Sequence, residues 1–579
     1  MHFSSRSRMS KTFSLVSIAV ILGMLLAAGT LLNRGIPKAY AASSNGVHAV
    51  AGKAVKAVTV NPLKLAKVTN AASTHYAIPI LSTHASSSTA ARSGNAPHAA
   101  AIALTGSSTQ VLHNFNGVSS VDSLGVNGLD VEPPDQGLCT GKGYVVEPVN
   151  LALTIFRSNG TVVAGPVALP AFFGEPPVFT PPDVNIQGDV RCYYDPPTHT
   201  FFATQIFLTT ALTNNVSHFD VAVNNSGNPT TPWTIYKFDT TNLTDPGCPC
   251  LGDQPLFGID QNNIYISTNE FSISAVTGGA VFFNGAQIYA ISKSQLVALS
   301  STVNFVHFGN LGIGGTIAAS VEPAITVDKN AKAEYFLNSL DPFGTFDNRV
   351  GVWALTNGKV VSTRGIPNLS NTVITSEAYG FPPPAETPVG FNSGVPGSTS
   401  GFIQTDDDRM LQVQFINGQL WSTLTTALTI PGETGVRSGA AWFEIRPSLN
   451  GNIIGKSTVT KQGYVSVTGN YLLYPAVVAN QKGSAAMVMT LSGPNTFPSA
   501  VFAVLRAGSR QFGTIHIAAS GVTANTGVTA VGGPGRWGDY SAAVIDPNGS
   551  GGIWMATEYI PGAGSAFANW GTRVLEVQP

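Results

Sequence analysis

Carboxylates open one stretch after another of this chain: Asp135, Asp189, Asp253, Glu322, Asp407 and Asp539 each precede a short apolar run, a turn and an aromatic-led second run. If repetition brought them to one rim of a central axis, six like charges would repel unless a hard cation or backbone donors offset them. Ca²⁺ is the cofactor such a ring would take. The plainer reading is that each acid caps its own turn by accepting from nearby backbone N–H groups, which requires no shared geometry and is preferred.

A second set, Glu147, Glu270 and Glu558, follows the aromatic of the second run. A glycosidase needs two carboxyls at a separation fixed by its mechanism, so these are candidate acid/base residues, weighed against structural bonds to neighbouring backbone or to Arg536 and Arg573. Asp406, Asp407 and Asp408 form an acidic run without EF-hand spacing, next to Arg409. Arg191, Arg349, Arg409, Arg446, Arg536 and Arg573 fall in separate stretches and leave open an arginine cluster of the kind sialidases use on a sugar carboxylate. The Ser-x-Asp-x-Gly-x-Thr-Trp repeat of that family is missing, so any likeness would be one of architecture only. His199, His218, His307 and His516 have no recognisable catalytic partner, and no nucleophile elbow, phosphate loop, dinucleotide fingerprint or zinc-protease motif occurs. The four cysteines suit disulfides in an exported chain. Cys139 and Cys192 occupy nearly matching places in the first two stretches and are expected to bridge them. Cys248 and Cys250 would then close a local bond.

The elements that must position these residues are legible as repeats. The runs DVRCYYD at 189–195, DQPLFGID at 253–260, EPAITVD at 322–328 and DYSAAVID at 539–546 each lead into a second aromatic strand. Looser copies begin at 135, 407 and 475, spaced with the others by 54 to 85 residues. Each reads as strand, turn, strand. One small sheet cannot bury both faces alone, so such repeats imply an array. At about 67 residues per unit over roughly 110–579, the units exceed compact propeller repeats, and the excess must lie in loops. A β-propeller domain over 109–579 follows, with seven blades expected and six or eight as alternatives. Helical periodicity is confined to 292–300. The long 382–401 loop, with Trp353, Trp421 and Trp442, could line a ligand surface, against the plainer role of packing between blades.

Arg6, Arg8 and Lys11, an apolar stretch over 13–32 and Ala39-Tyr40-Ala41 read as a secretory signal peptide over 1–41, with an uncleaved anchor as the competitor. Residues 42–108, rich in Ala, Ser, Thr and Val, read as a flexible linker carrying scattered histidines. The charged fraction is 11% and the net charge −1, with no basic run beyond the signal, so nucleic acid is not an expected partner.

RWGDYS at 536–541, with WMATEY at 554–559 and NWGTR at 569–573, resembles a signature of large secreted bacterial proteins. GDQP at 252–255 and IYISTNEF at 264–271 resemble the middle of the same family. The resemblance spans 135–573 and implies a propeller-like extracellular domain without bringing a reaction. The expectation is thus a secreted or cell-surface monomer that binds a glycan, peptide or protein through loop insertions without catalysis. The alternative is an extracellular hydrolase or lyase acting on polysaccharide. An enzyme should break the repeat symmetry and converge a few perturbed carboxyls and arginines, whereas a binding scaffold should keep its acids as caps.

Overall fold

The computed structural model describes residues 47–65, 77–79, 96–106, 110–180, 183–209, 216–275, 282–340, 346–388, 401–527, 529, 534–562, 564 and 568–579. The expected leader over 1–41 and most of the 382–401 loop lie outside them. No helix among the described residues is long and apolar enough to cross a membrane.

Short alternating runs separated by Gly, Asn, Asp and Pro form antiparallel meanders, as two-residue periodicity requires. The first comprises Cys139–Gly141, Tyr144–Val149, Ala152–Arg157 and Val162–Ala168. Six further four-stranded groups follow, with innermost strands Asp183–Asp195, Cys250–Ile259, Glu322–Thr326, Met410–Ile416, Tyr471–Ala479 and Ala542–Ile545. We number these groups as blades 1 to 7. Innermost strands of neighbouring blades lie side by side, and those of blades 3, 4 and 5 pair in parallel at Ile259 with Ile325 and at Ala324 with Val413. That arrangement of inner strands about an axis is a β-propeller.

The repeat phrase has a direct packing explanation. Successive side chains on a strand point to opposite faces. Phe201 therefore joins the core between blades 1 and 2, and Phe202 the core between blades 2 and 3. Ile264 and Tyr265 divide likewise between blades 2/3 and 3/4, and Tyr335 and Phe336 between 4/5 and 3/4. Similar apolar layers lie between blades 5 and 6, 6 and 7, and 7 and 1. Trp353, Trp421 and Trp442 are buried in these layers, with Trp421 and Trp442 stacked at 6.0 Å. They line no ligand surface.

The ring closes with sequence from both ends. Gly571–Val577 pairs antiparallel with Val111–Ser119, so the strand just after residue 109 completes blade 7. Within 42–108, the described stretches 47–65 and 96–106 are seated against the blades. His48–Val60 pairs with the outermost strands of both blade 2 and blade 3, in register from Val55 to Lys237 and from His48 to Gly309. Leu104–Thr105 adds to blade 6, and His98 bonds Thr429 on blade 5 through Nδ1 at 2.7 Å. Single apolar residues, Ala54 and Val60 among them, are buried against edges that would otherwise present unpaired backbone. The expected helix at 292–300 is present as Lys293–Val297.

Both expected disulfides form. Cys139 to Cys192 ties blade 1 to blade 2, and Cys248 to Cys250 closes locally before blade 3.

Candidate functional site

Each innermost strand enters the sheet through an irregular turn. Ladder shifts occur at Gly188/Arg191, Asp253/Leu256, Met410/Val413 and Leu473/Ala476. A left-handed residue marks the same place in five blades: Asp135 (φ 43°), Asp189 (51°), Gln254 (50°), Ser320 (45°) and Tyr474 (49°); Asp406 (55°) is also left-handed but precedes the blade 5 ladder shift. Asp and Asn tolerate this conformation better than most residues, which explains part of the acidic recurrence. The six acids read from the sequence are therefore not equivalent. Asp253 and Glu322 lie one residue before and two after the shared position, and Asp407 lies four residues before Leu411, which occupies it in blade 5.

The entries nevertheless converge. The backbone N–H of Asp539 in blade 7 donates to Asp135 Oδ1 in blade 1 at 2.6 Å, while Asn150 donates to Asp135 Oδ2 at 2.7 Å and accepts from the Asp189 N–H at 2.9 Å. Arg536 Nη2 donates to both oxygens of Asp539 at 2.8 Å, and Arg409 holds Asp407 in a two-nitrogen fork through Nε and Nη2. Bidentate guanidinium–carboxylate pairs of this kind are the strong members of their class. Arg409 also reaches Gln254, linking blade 5 to blade 3 across blade 4. Tyr540 donates to the Val190 carbonyl at 3.0 Å, passing over blade 1, and Arg191 lies 3.4 Å above the Tyr540 ring. Such bonds between non-adjacent blades cross the axis.

Guanidinium groups thus offset part of the acidic ring. The groupings of His, Cys, Asp and Glu that bring three ligand atoms within 4.8 Å of one another lie elsewhere among the described residues. Burial pushes Asp135 up to about 7, aided by the Asp539 carboxylate beside it. Burial also raises Glu322 to about 8 and Asp189 and Asp406 well above the ordinary range, with Asp253 and Asp407 as the next causes for the latter two. The ring therefore holds buried carboxyls whose hold on a proton is strengthened, beside the arginine-paired Asp407 and Asp539. It is closed: Asp135 is 0% exposed, and Asp189, Arg191, Arg536 and Asp539 are 6–8% exposed.

Every residue of the RWGDYS signature has work at this axis. Arg536 and Asp539 pair, and Trp537 donates to Thr490 at 3.2 Å. Gly538 N–H donates to Glu558 at 2.6 Å, and a Cβ there would come 2.9 Å from the Glu558 oxygen. Ser541 bonds Thr557 at 2.8 Å.

The three recurring glutamates separate. Glu558 joins the axial cluster, raised well above its usual value by burial. Glu147 accepts from the Val118 N–H at 2.8 Å and fastens blade 1 to the closing strand of blade 7, with burial lifting it to about 7. Glu270 accepts from Asn242 at 2.9 Å beside the Cys248–Cys250 turn. No facing carboxyl pair is built from them. Of the six arginines, Arg191, Arg409 and Arg536 meet at the axis; Arg349 and Arg446 are exposed, Arg349 bonding Asp347, and the half-buried Arg573 bonds Asn114 and Asn116. Sequence reasoning missed Gln254 and Tyr474, whose shared left-handed position shows only in three dimensions, and assigned no axial bond to Tyr540.

An open feature lies away from the axis. A groove of about 970 Å³ runs between the outermost strands of blades 4 and 5, Asn368–Tyr379 and Thr458–Val465. It is lined by Thr372, Thr375, Lys456, Thr458 and Lys461, with Arg510 from the blade 6 side. Lys461 pairs with Glu444 at 2.9 Å, whereas Lys456 and Arg510 are exposed and make no ion pair among the described residues.

No protein-family model matches the chain, and no curated protein is similar to it in sequence. Among solved structures, a protein of unknown function from Dyadobacter fermentans aligns at 12% identity over 77% of this chain and 94% of its own, with a TM-score of 0.28. An α-L-arabinanase of Penicillium chrysogenum complexed with arabinobiose aligns at 10% identity over 66% and 92%, TM-score 0.27. Drosophila Semaphorin 2a aligns at 8% identity over 80% and 63%, TM-score 0.24. At such scores these likenesses carry no argument about activity, and the fold rests on the strand topology itself.

Proposed function

We propose that the chain is a secreted, non-catalytic binding propeller, of the bacterial family its RWGDYS signature resembles, that holds an acidic glycan along the groove between blades 4 and 5. The observation that carries this reading is a contrast of access. The axial carboxyls are buried and bonded to backbone N–H groups or guanidinium, while the groove is open and offers threonine hydroxyls with two unpaired cations. Hydroxyl donors spaced along sheet edges suit a sugar polymer, and Lys456 and Arg510 favour one bearing carboxylate or sulfate. The binding surface is then built from the outer strands of blades 4 and 5 together with the loops that carry Lys456 and Arg510. Two disulfides suit an oxidising compartment.

A second reading, polysaccharide hydrolysis at the axis, is favoured by one observation: Asp135, raised to about 7, shares the axis with the arginine-paired Asp539, so two carboxyls in different surroundings lie close together. It requires the covering segments to part. Titration of oligouronate or sulfated oligosaccharide into the protein, with reducing-end release measured in the same samples, separates the two. Binding without product supports the first reading, and product lost on Asp135→Asn supports the second.

A further inference from the structure

The geometry points to a divalent transition-metal site, of the kind that takes Zn²⁺, formed by Glu175, His218 and Asp220 on blade 2. His218 and Asp220 are two residues apart on Val216–Asn224, so they share one face of the strand. Glu175 reaches them from the turn after the short helix Leu169–Phe173, where Gly174 adopts the left-handed conformation that ends it. His218 Nε2 lies 3.2 Å from Glu175 Oε1 and 3.4 Å from Asp220 Oδ1, and the three ligand atoms all fall within 4.8 Å of one another.

These spacings match a coordination polyhedron. A tetrahedral ion with nitrogen and oxygen ligands at about 2.0–2.2 Å holds those ligands roughly 3.3–3.5 Å apart. Imidazole with two carboxylates suits zinc or a neighbouring first-row ion better than Ca²⁺, which favours all-oxygen shells. An independent observation points the same way: Asp220 is 0% exposed, and its Oδ1, aimed at the cluster, accepts no hydrogen bond. Its other oxygen is fixed by Gln205 Nε2 at 2.8 Å, the kind of outer bond that orients a metal-binding carboxylate. Phe207 stacks on the imidazole at 4.6 Å and keeps that side dry.

Lys237 is the resident cation. Its ammonium pairs with Glu175 Oε1, and its side chain is 35% exposed, so it can withdraw to solvent as a metal enters. A dication would then meet both carboxylates, where the ammonium meets one. The site would clamp the blade 1–blade 2 connection onto blade 2. Through the register Gln187, Phe207, His218 it lies level with the strand entry that carries Asp189.

The test uses the full chain, stripped with chelator and titrated with Co²⁺. The expected result is one equivalent bound with intense visible d–d bands of low coordination number, bleached by Zn²⁺. His218→Ala and Asp220→Asn should each lose the bands, while Lys237→Met should bind at least several-fold more tightly. Thermal melts in chelator identify any variant that has failed to fold, and Lys237→Met keeps the test decisive in that event. Absence of stoichiometric binding by the wild type overturns the site, as does equal binding by a folded His218→Ala protein or unchanged affinity in Lys237→Met.

Discussion

At the level of single residues, the axis is a set of buried charges whose partners matter more than their number. Removing one member of a buried ion pair leaves the other uncompensated, at about 3–5 kcal/mol. Arg536→Met should therefore lower unfolding free energy by that order in urea titrations, because both carboxylate oxygens of Asp539 lose the Nη2 donor. An unchanged midpoint would mean that the pair is not what holds blade 7 to the axis. Glu147 allows a test of sign. Burial lifts it from 4.5 to about 7, so the native state binds more protons than the unfolded chain between those values. Its contribution is fully present below about pH 4.5 and is lost as pH rises through about 7. Unfolding free energy should fall from pH 5 to pH 8, and Glu147→Gln should flatten that slope by on the order of 3 kcal/mol across the window. A slope unaltered by the substitution would contradict the assignment.

At the level of strands, the sequence and the structure agree where a two-residue period decides and part where irregular backbone does. Paired aromatics such as Phe201–Phe202 and Tyr335–Phe336 announce a strand buried on both faces, and each pair serves two blade interfaces. The strand entries were harder to read. Left-handed residues and ladder shifts displace the equivalent position, by one residue at Asp253, two at Glu322 and four at Asp407, so the three look aligned with Asp135 and Asp189 without being so. His48–Val60 was also hidden, since it has few buried side chains and its stability comes from backbone bonds to two sheet edges that no local pattern encodes. Gly52 offers a probe of that strand. A Cβ there would come 2.4 Å from Phe305 Cζ, so Gly52→Val should dislodge it. Amide exchange over 48–60 should then quicken at least about tenfold while the blade cores keep their protection. Equal exchange in both proteins would mean that the strand is not seated against Phe305.

For the whole molecule, repetition builds the scaffold and departures from it mark the places with chemistry. Inter-blade cores and the Cys139–Cys192 bond hold the ring, and Val111–Ser119 closes it. The cysteine pairing and the propeller class could be read from spacing alone, because both follow from the repeat. The groove could not: it needs Thr375, Lys456 and Arg510, from three different blades, to meet across sheet edges. The most direct test of the binding account is calorimetric titration of an acidic oligosaccharide into the wild type and the Lys456→Ala/Arg510→Ala double variant, with product release followed in parallel. The account predicts saturable binding that weakens with salt, a loss of roughly tenfold in the variant, or about 1.4 kcal/mol, an unchanged melting temperature and no product. Equal affinity in the two proteins, or reducing ends released by the wild type, would contradict it.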